Sequence, residues 1–108
     1  MDPVITLRHC DIAPDLRDRA LSILQRLGRL AGRPTDAAAV FAVAGGLAGV
    51  ELRLDAPGGP LLVARANAAD HRTALDRAEE RLRRQVARAS GRTRVARHAA
   101  ELPQRPQV

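Results

Sequence analysis

The chain has no lysine, tryptophan or tyrosine, and Phe41 is its only aromatic residue. RNA-binding sheets of the RRM or OB type stack bases on exposed aromatic rings, so a single aromatic inside an apolar run excludes that mode of recognition. Cys10 is the only cysteine, which rules out an intramolecular disulfide, and no Cys/His spacing suits zinc. A reducing compartment fits, and the expected location is cytoplasmic. The longest uncharged stretch, Ala37 to Val50, falls short of the roughly 20 apolar residues that cross a bilayer. Asp2, Arg8 and Asp11 interrupt the N-terminus before any long apolar run, so no secretory signal is expected.

Positive charge, by contrast, is abundant. The 108 residues carry 18 basic side chains, all arginine, against 12 acids, a formal charge of +6. A chain of this length makes one domain with a modest core. Its charge favours a polyanionic partner such as nucleic acid. Codon bias in a GC-rich genome accounts for arginine in place of lysine but does not dictate where the charge sits. Up to residue 60 there are seven Arg and seven acids, and beyond it eleven Arg and five acids, so the whole excess is C-terminal.

Val4 to Cys10 is β-prone and reads as a first strand. Ala13-Pro14-Asp15 opens a helix of about five turns, with Leu16, Ala20, Ile23, Leu24, Leu27 and Leu30 at helical spacing and Gly32 and Pro34 as its stop. Ala37 to Ala44 reads as a buried strand and Gly45 to Gly49 as a turn. Val50 to Ala56 alternates as a strand with one wet face, and Pro57-Gly58-Gly59-Pro60 connects it to a further strand from Leu61 to Ala66. Asp70 is a suitable N-cap for a last helix with the stripe Leu75, Ala78, Leu82, Val86 and Ala89, closed by Gly91. Residues 92–108 are expected to form a basic tail, disordered unless bound. The fold class is α+β: β-α-β-β-β-α, a four-stranded, mostly antiparallel sheet with two helices on one face.

At about 100° per residue, Arg77, Arg81, Arg84 and Arg88 fall within about 60° of one another, off the apolar stripe. Arg19, Arg26, Arg29 and Arg33 cluster likewise on the first helix. Charged runs on helices are often solvated faces. Two such ridges and a basic tail, with Asp76, Glu79 and Glu80 outside the second ridge, point instead to phosphate contacts on structured RNA. No catalytic constellation emerges: Ser22 and Ser90 have no nucleophile-elbow context, and His9, His71 and His98 are far apart. Gly45-Gly46-Leu47-Ala48-Gly49 precedes a strand and lacks the Lys and Ser/Thr of a phosphate loop. Neither an enzyme nor a cofactor is expected. Cys10 reads as a small buried hydrophobe, and His9 as either a structural polar residue or an RNA contact.

Ile5-Thr6-Leu7-Arg8-His9-Cys10-Asp11-Ile12, then Pro14-Asp15-Leu16-Arg17-Asp18, Glu51-Leu52-Arg53-Leu54 with Pro57-Gly58-Gly59, and Ala74-Leu75-Asp76 with Arg81-Leu82-Arg83-Arg84-Gln85 occur in that order. Over roughly residues 4 to 90 this resembles the ribosome hibernation-promoting and ribosome-associated inhibitor family of ribosomal subunit interface proteins. The resemblance implies a fold similar to double-stranded RNA-binding domains, with residues 1–91 as the ribosome-binding domain. It further implies binding to 16S rRNA of the small ribosomal subunit in the mRNA/tRNA channel, which inactivates idle ribosomes under stress. By matched position, Arg8, His9, Arg26, Arg29, Arg81, Arg84 and Arg88 become candidate rRNA contacts, joined by Arg77 from the ridge. The chain departs from the family pattern at Arg19, Leu30-Ala31 and Arg72, where aromatic residues are usual, and in the neutral loop Gly45 to Gly49. The second domain of longer members has no counterpart after Gly91, which would make the chain a short form. A diverged module for another structured RNA, or a protein-interaction or oligomerisation module, is the alternative. Neither a membrane nor a small-molecule substrate is expected as partner.

Overall fold

The computed structural model describes residues 2–32, 34, 36–55 and 61–101, with side chains up to Ala89. The order is β1 (Val4–Arg8), α1 (Pro14–Leu30), β2 (Asp36–Ala44), β3 (Leu47–Asp55), β4 (Leu61–Ala68) and α2 (His71–Glu101). The strands lie in sequence order, with β1 parallel to β2 and the other two pairings antiparallel. A parallel pair needs a long crossover, and α1 is that crossover. The expected α+β architecture is therefore the observed one.

Alternation along the strands sends one set of side chains to the helices and the other to an open face. Ala39, Phe41, Val50, Leu52 and Leu54 are buried beneath Leu24 and Leu27 of α1 and Leu75, Leu82 and Val86 of α2. Phe41 is fully buried, so the one aromatic residue serves the core. Small residues fill much of the rest: Ala64 and Ala66 on β4, Ala20 on α1, Ala74 and Ala78 on α2. Between them the helices approach the sheet closely, and no large ring is needed to fill the space.

Four boundaries differ by two residues or more from the sequence expectation. β1 ends at Arg8 because His9 takes a left-handed conformation, φ 57°, which turns the chain toward α1. The hairpin between β2 and β3 is two residues, Gly45 and Gly46, with φ of 60° and 77°, rather than the whole run to Gly49. Two successive positive φ angles match a type I′ turn, whose twist suits a hairpin, and glycine adopts them without strain. β4 continues to Ala68, two residues beyond the expected end, paired with Ala48. Lastly, α2 does not stop at Gly91 but continues to Glu101. A lone glycine costs about 1 kcal/mol relative to alanine in a helix interior. The arginines and alanines around it favour helix, and the next proline in sequence is Pro103. The start of the expected tail is thus helical. The Pro57 to Pro60 connection, Arg33 and residues 102–108 lie outside the described residues.

Asp70 caps α2 as expected. Its carboxylate accepts from the Thr73 backbone N–H at 2.8 Å and from the Thr73 hydroxyl at 3.0 Å. These bonds to the ionised form hold the Asp70 carboxyl below its ordinary range, the backbone N–H being the larger cause.

Candidate nucleic-acid interface

The two helices run parallel over the sheet and are tied by ion pairs of alternating sense. Asp15 of α1 accepts from Arg72 of α2 at 3.0 Å, Arg19 pairs with Asp76 and reaches Glu79 at 3.5 Å, and Arg26 pairs with Glu79. These pairs are largely exposed, and each contributes little to stability. Their pattern does more, because sliding α1 by a turn one way would set Asp15 beside Asp76, and by a turn the other way would set Arg19 beside Arg72. The charges therefore specify the register of α1 on α2. The Arg72 guanidinium, through its hydrogen bond, holds the Asp15 carboxyl below the usual carboxylate range.

This arrangement alters the reading of the first ridge. Arg19 and Arg26 face α2 and its acids, leaving Arg29, exposed in the last turn of α1, with no partner among the described residues. Two of the three acids that lie outside the α2 ridge, Asp76 and Glu79, are the ones that bind α1. Sequence periodicity placed them off the ridge but carried no information about what faced them.

The ridge of α2 divides in a different way. Arg77 donates to the Asn67 carbonyl at 3.0 Å, and Arg81 to the Arg65 carbonyl, both on β4. Arg84 pairs with Glu80 at 3.3 Å, and Arg83 pairs with the same carboxylate. Arg88 is exposed and has no partner among the described residues. Arg77, Arg81 and Arg88 therefore keep their full charge without a neutralising acid.

Arg8 and His9 are exposed at the end of β1, the opposite edge of the sheet from β4. Three strand spacings of about 4.8 Å separate those edges. The eight candidates thus form three groups: Arg8 and His9 at one edge, Arg26 and Arg29 on α1, and Arg77, Arg81, Arg84 and Arg88 along the outer flank of α2. They do not converge on a single point.

Further polar residues lie outside the eight candidates. Arg17 on α1 and Arg53 on the open sheet face are exposed and unpaired among the described residues. Arg65 donates to Glu51 directly across the strands at 2.5 Å. Gln85 donates to the Val63 carbonyl at 2.7 Å, which gives a structural reason for the glutamine of the Arg81 to Gln85 motif. Its spacing of four from Arg81 and eight from Arg77 was the available signal. His71 donates from Nε2 to the Ala42 carbonyl at 2.9 Å and meets the Phe41 ring edge-on at 5.7 Å. Cys10 is half-buried, its thiol donating to the Phe41 carbonyl at 3.3 Å.

Among the described residues no helix is long and apolar enough to cross a membrane, and no three His, Cys, Asp or Glu side chains form a metal-binding group.

Residues 4–94 match the family model described as Sigma 54 modulation protein / S30EA ribosomal protein. The chain belongs to this family. It is similar to the N-terminal domain of Thermus thermophilus Protein Y, at 35% identity over 82% of this chain and 98% of that one, TM-score 0.66. It also shares the fold of a ribosomal subunit interface protein from Coxiella burnetii, at 22% identity over 82% of this chain and 96% of that one, TM-score 0.71. No match is found among curated protein sequences. Membership of the S30EA family covers the sheet and both helices up to Arg94, so it includes every candidate contact residue.

Proposed function

We propose that the protein binds the small ribosomal subunit in its mRNA/tRNA channel and holds idle ribosomes inactive under stress, in the cytoplasm. The observation that carries this reading is the family match over residues 4–94, in a chain whose net charge is +6. The mechanism is steric: a folded plug with arginines on several faces occupies the channel, anchored by contacts to 16S rRNA phosphates. It involves no chemical step. Arg77, Arg81 and Arg88 are the strongest contacts because they line one flank of α2 and no carboxylate among the described residues competes for them. Arg8, His9 and Arg29 supply contacts from other faces, and Arg26 and Arg84 add charge that their acids partly offset. Distribution over several faces suits a channel, whose walls surround the occupant, better than a flat duplex.

Residues 1–91 act as the binding unit in this reading, with the basic segment beyond it adding phosphate attraction. Co-sedimentation with isolated small subunits across a salt titration tests the proposal. Binding at low salt should fall steeply as salt rises, since each phosphate contact releases counterions. Loss of translation in a reconstituted system should track occupancy. Absence of association at low salt would sink the idea. The two-glycine hairpin, which offers no basic side chain, favours as second reading a module for another structured RNA; preference for generic duplex RNA over ribosomes in competition would select it.

A further inference from the structure

The outer edge of β4 points the carbonyls of Val63, Arg65 and Asn67 away from the sheet, and one flank of α2 meets all three. Gln85, Arg81 and Arg77 donate to them in turn. The match is geometric, since four helical residues rise about 6 Å and two strand residues about 6.7 Å. Helix and strand therefore stay in step over three rungs, and carbonyls that would otherwise lie open at a sheet edge are capped.

The ladder has a consequence for the two arginines. A guanidinium has five N–H donors in a rigid fork, and a carbonyl engages only one side of it. A carbonyl is also neutral, so it orients the cation without cancelling its charge. Arg83 and Arg84, by contrast, share the carboxylate of Glu80. We propose that the β4 backbone presets Arg77 and Arg81 as a two-point clamp for successive phosphates of one RNA strand, which runs along the seam between α2 and β4. This rests on the reading of the chain as an rRNA-binding protein. The rung spacing of about 6 Å is close to the separation of consecutive phosphates along an RNA strand. Holding the side chains in place beforehand removes an ordering cost that free surface arginines meet on binding. Here β4 positions the arginines, and the arginines touch the ligand.

Lysine separates this clamp from simple attraction, because an ammonium keeps the charge but lacks the fork. The experiment compares wild type, R77K/R81K and R17K/R83K, the latter at two arginines outside the proposed contacts, for binding to small ribosomal subunits at about 0.1 M salt, with circular dichroism as the check on folding. R77K/R81K should bind about tenfold more weakly, or worse, with its salt slope nearly that of wild type. R17K/R83K should stay within about twofold of wild type. Binding of R77K/R81K within about twofold of wild type, or equal losses in both variants, overturns the clamp while leaving ribosome binding intact.

A readout on unmodified protein covers the case in which a variant fails to fold. In a titration with a twelve-nucleotide oligouridylate, the Nε–Hε resonances of Arg77 and Arg81 should shift before those of Arg83 and Arg84. The reverse order, or no shift, overturns the clamp. Wild type that shifts with the oligonucleotide yet ignores small subunits would overturn the ribosomal reading alone.

Discussion

His71, the first residue of α2, donates its Nε2–H to the Ala42 carbonyl of β2 at 2.9 Å while its ring stands edge-on to the buried Phe41. A carbonyl can only accept, so this bond selects the Nε2-protonated tautomer. One residue thus latches the start of the last helix to a central strand and covers one side of the only aromatic ring in the chain. His71→Ala should lower stability by about 1–2 kcal/mol, combining a lost hydrogen bond with a lost ring contact. Urea unfolding followed by circular dichroism measures it, and a midpoint equal to wild type would show that the latch is idle.

Phe41 itself is fully buried beneath both helices. Phe41→Ala should cost about 3–5 kcal/mol, because alanine-rich neighbours have short side chains with little reach to refill the void. A domain with a core this small has little stability to spare. The expected result in calorimetry is a chain unfolded or nearly so at physiological temperature, while Phe41→Leu retains the fold.

Acid should loosen the pairing of α1 with α2. The Asp15 carboxyl is held below its ordinary range by Arg72, so the folded state takes up its proton less readily than the unfolded chain. The pair therefore contributes fully above the ordinary aspartate range, roughly pH 4, and its contribution is lost as pH falls through the lowered value. Asp70, lowered by its cap bonds to Thr73, acts in the same direction. Denaturation midpoints measured from pH 6 to pH 2 should drop below about pH 4. Asp15→Asn and Asp70→Asn should each flatten that drop, and an unchanged profile in the double variant would assign acid sensitivity elsewhere.

Removing the third rung of the β4 ladder leaves a partner unsatisfied without touching the charge. Gln85→Ala exposes the Val63 carbonyl, and a loss of about 1 kcal/mol is expected. Hydrogen exchange should quicken in β4 and the facing turn of α2 and stay unchanged in β1. Uniform change through the sheet would mean that Gln85 supports the fold in some other way.

Much of this architecture was legible in the residues. The alternation of Val50, Leu52 and Leu54 with Glu51, Arg53 and Asp55 is a strand with one covered face, and the stripe from Leu75 to Val86 is a covered helix. Asp70 before an apolar stripe is a cap. In each case the signal is the period of a local element, which a sequence carries directly. Local punctuation is ambiguous at two glycine sites. Gly91 has the form of a helix end, but a single glycine weakens a helix without terminating it. Gly45 to Gly49 has the composition of one loop, but only its first two glycines adopt the turn.

The fate of the arginines was less accessible. Angular spacing placed Arg19 and Arg26 in one ridge and Arg77, Arg81, Arg84 and Arg88 in another, and both ridges do avoid the core. Spacing along a helix says which side chains share a face, but not what lies opposite. Element order, the buried faces, the cap and the net charge follow from chain-local chemistry, because they depend on propensity, period and count. Apart from the local pairs of Arg83 and Arg84 with Glu80, which arginines are paired with acids, which rest on backbone carbonyls and which stand unpaired depends on contacts across 10 to 60 residues of sequence, such as Arg77 to Asn67 and Arg19 to Glu79. Those neighbours exist only once α1 and α2 lie side by side on the sheet. An arginine's availability to phosphate is therefore a property of the assembled surface, and folding alone distinguishes Arg81 from Arg26.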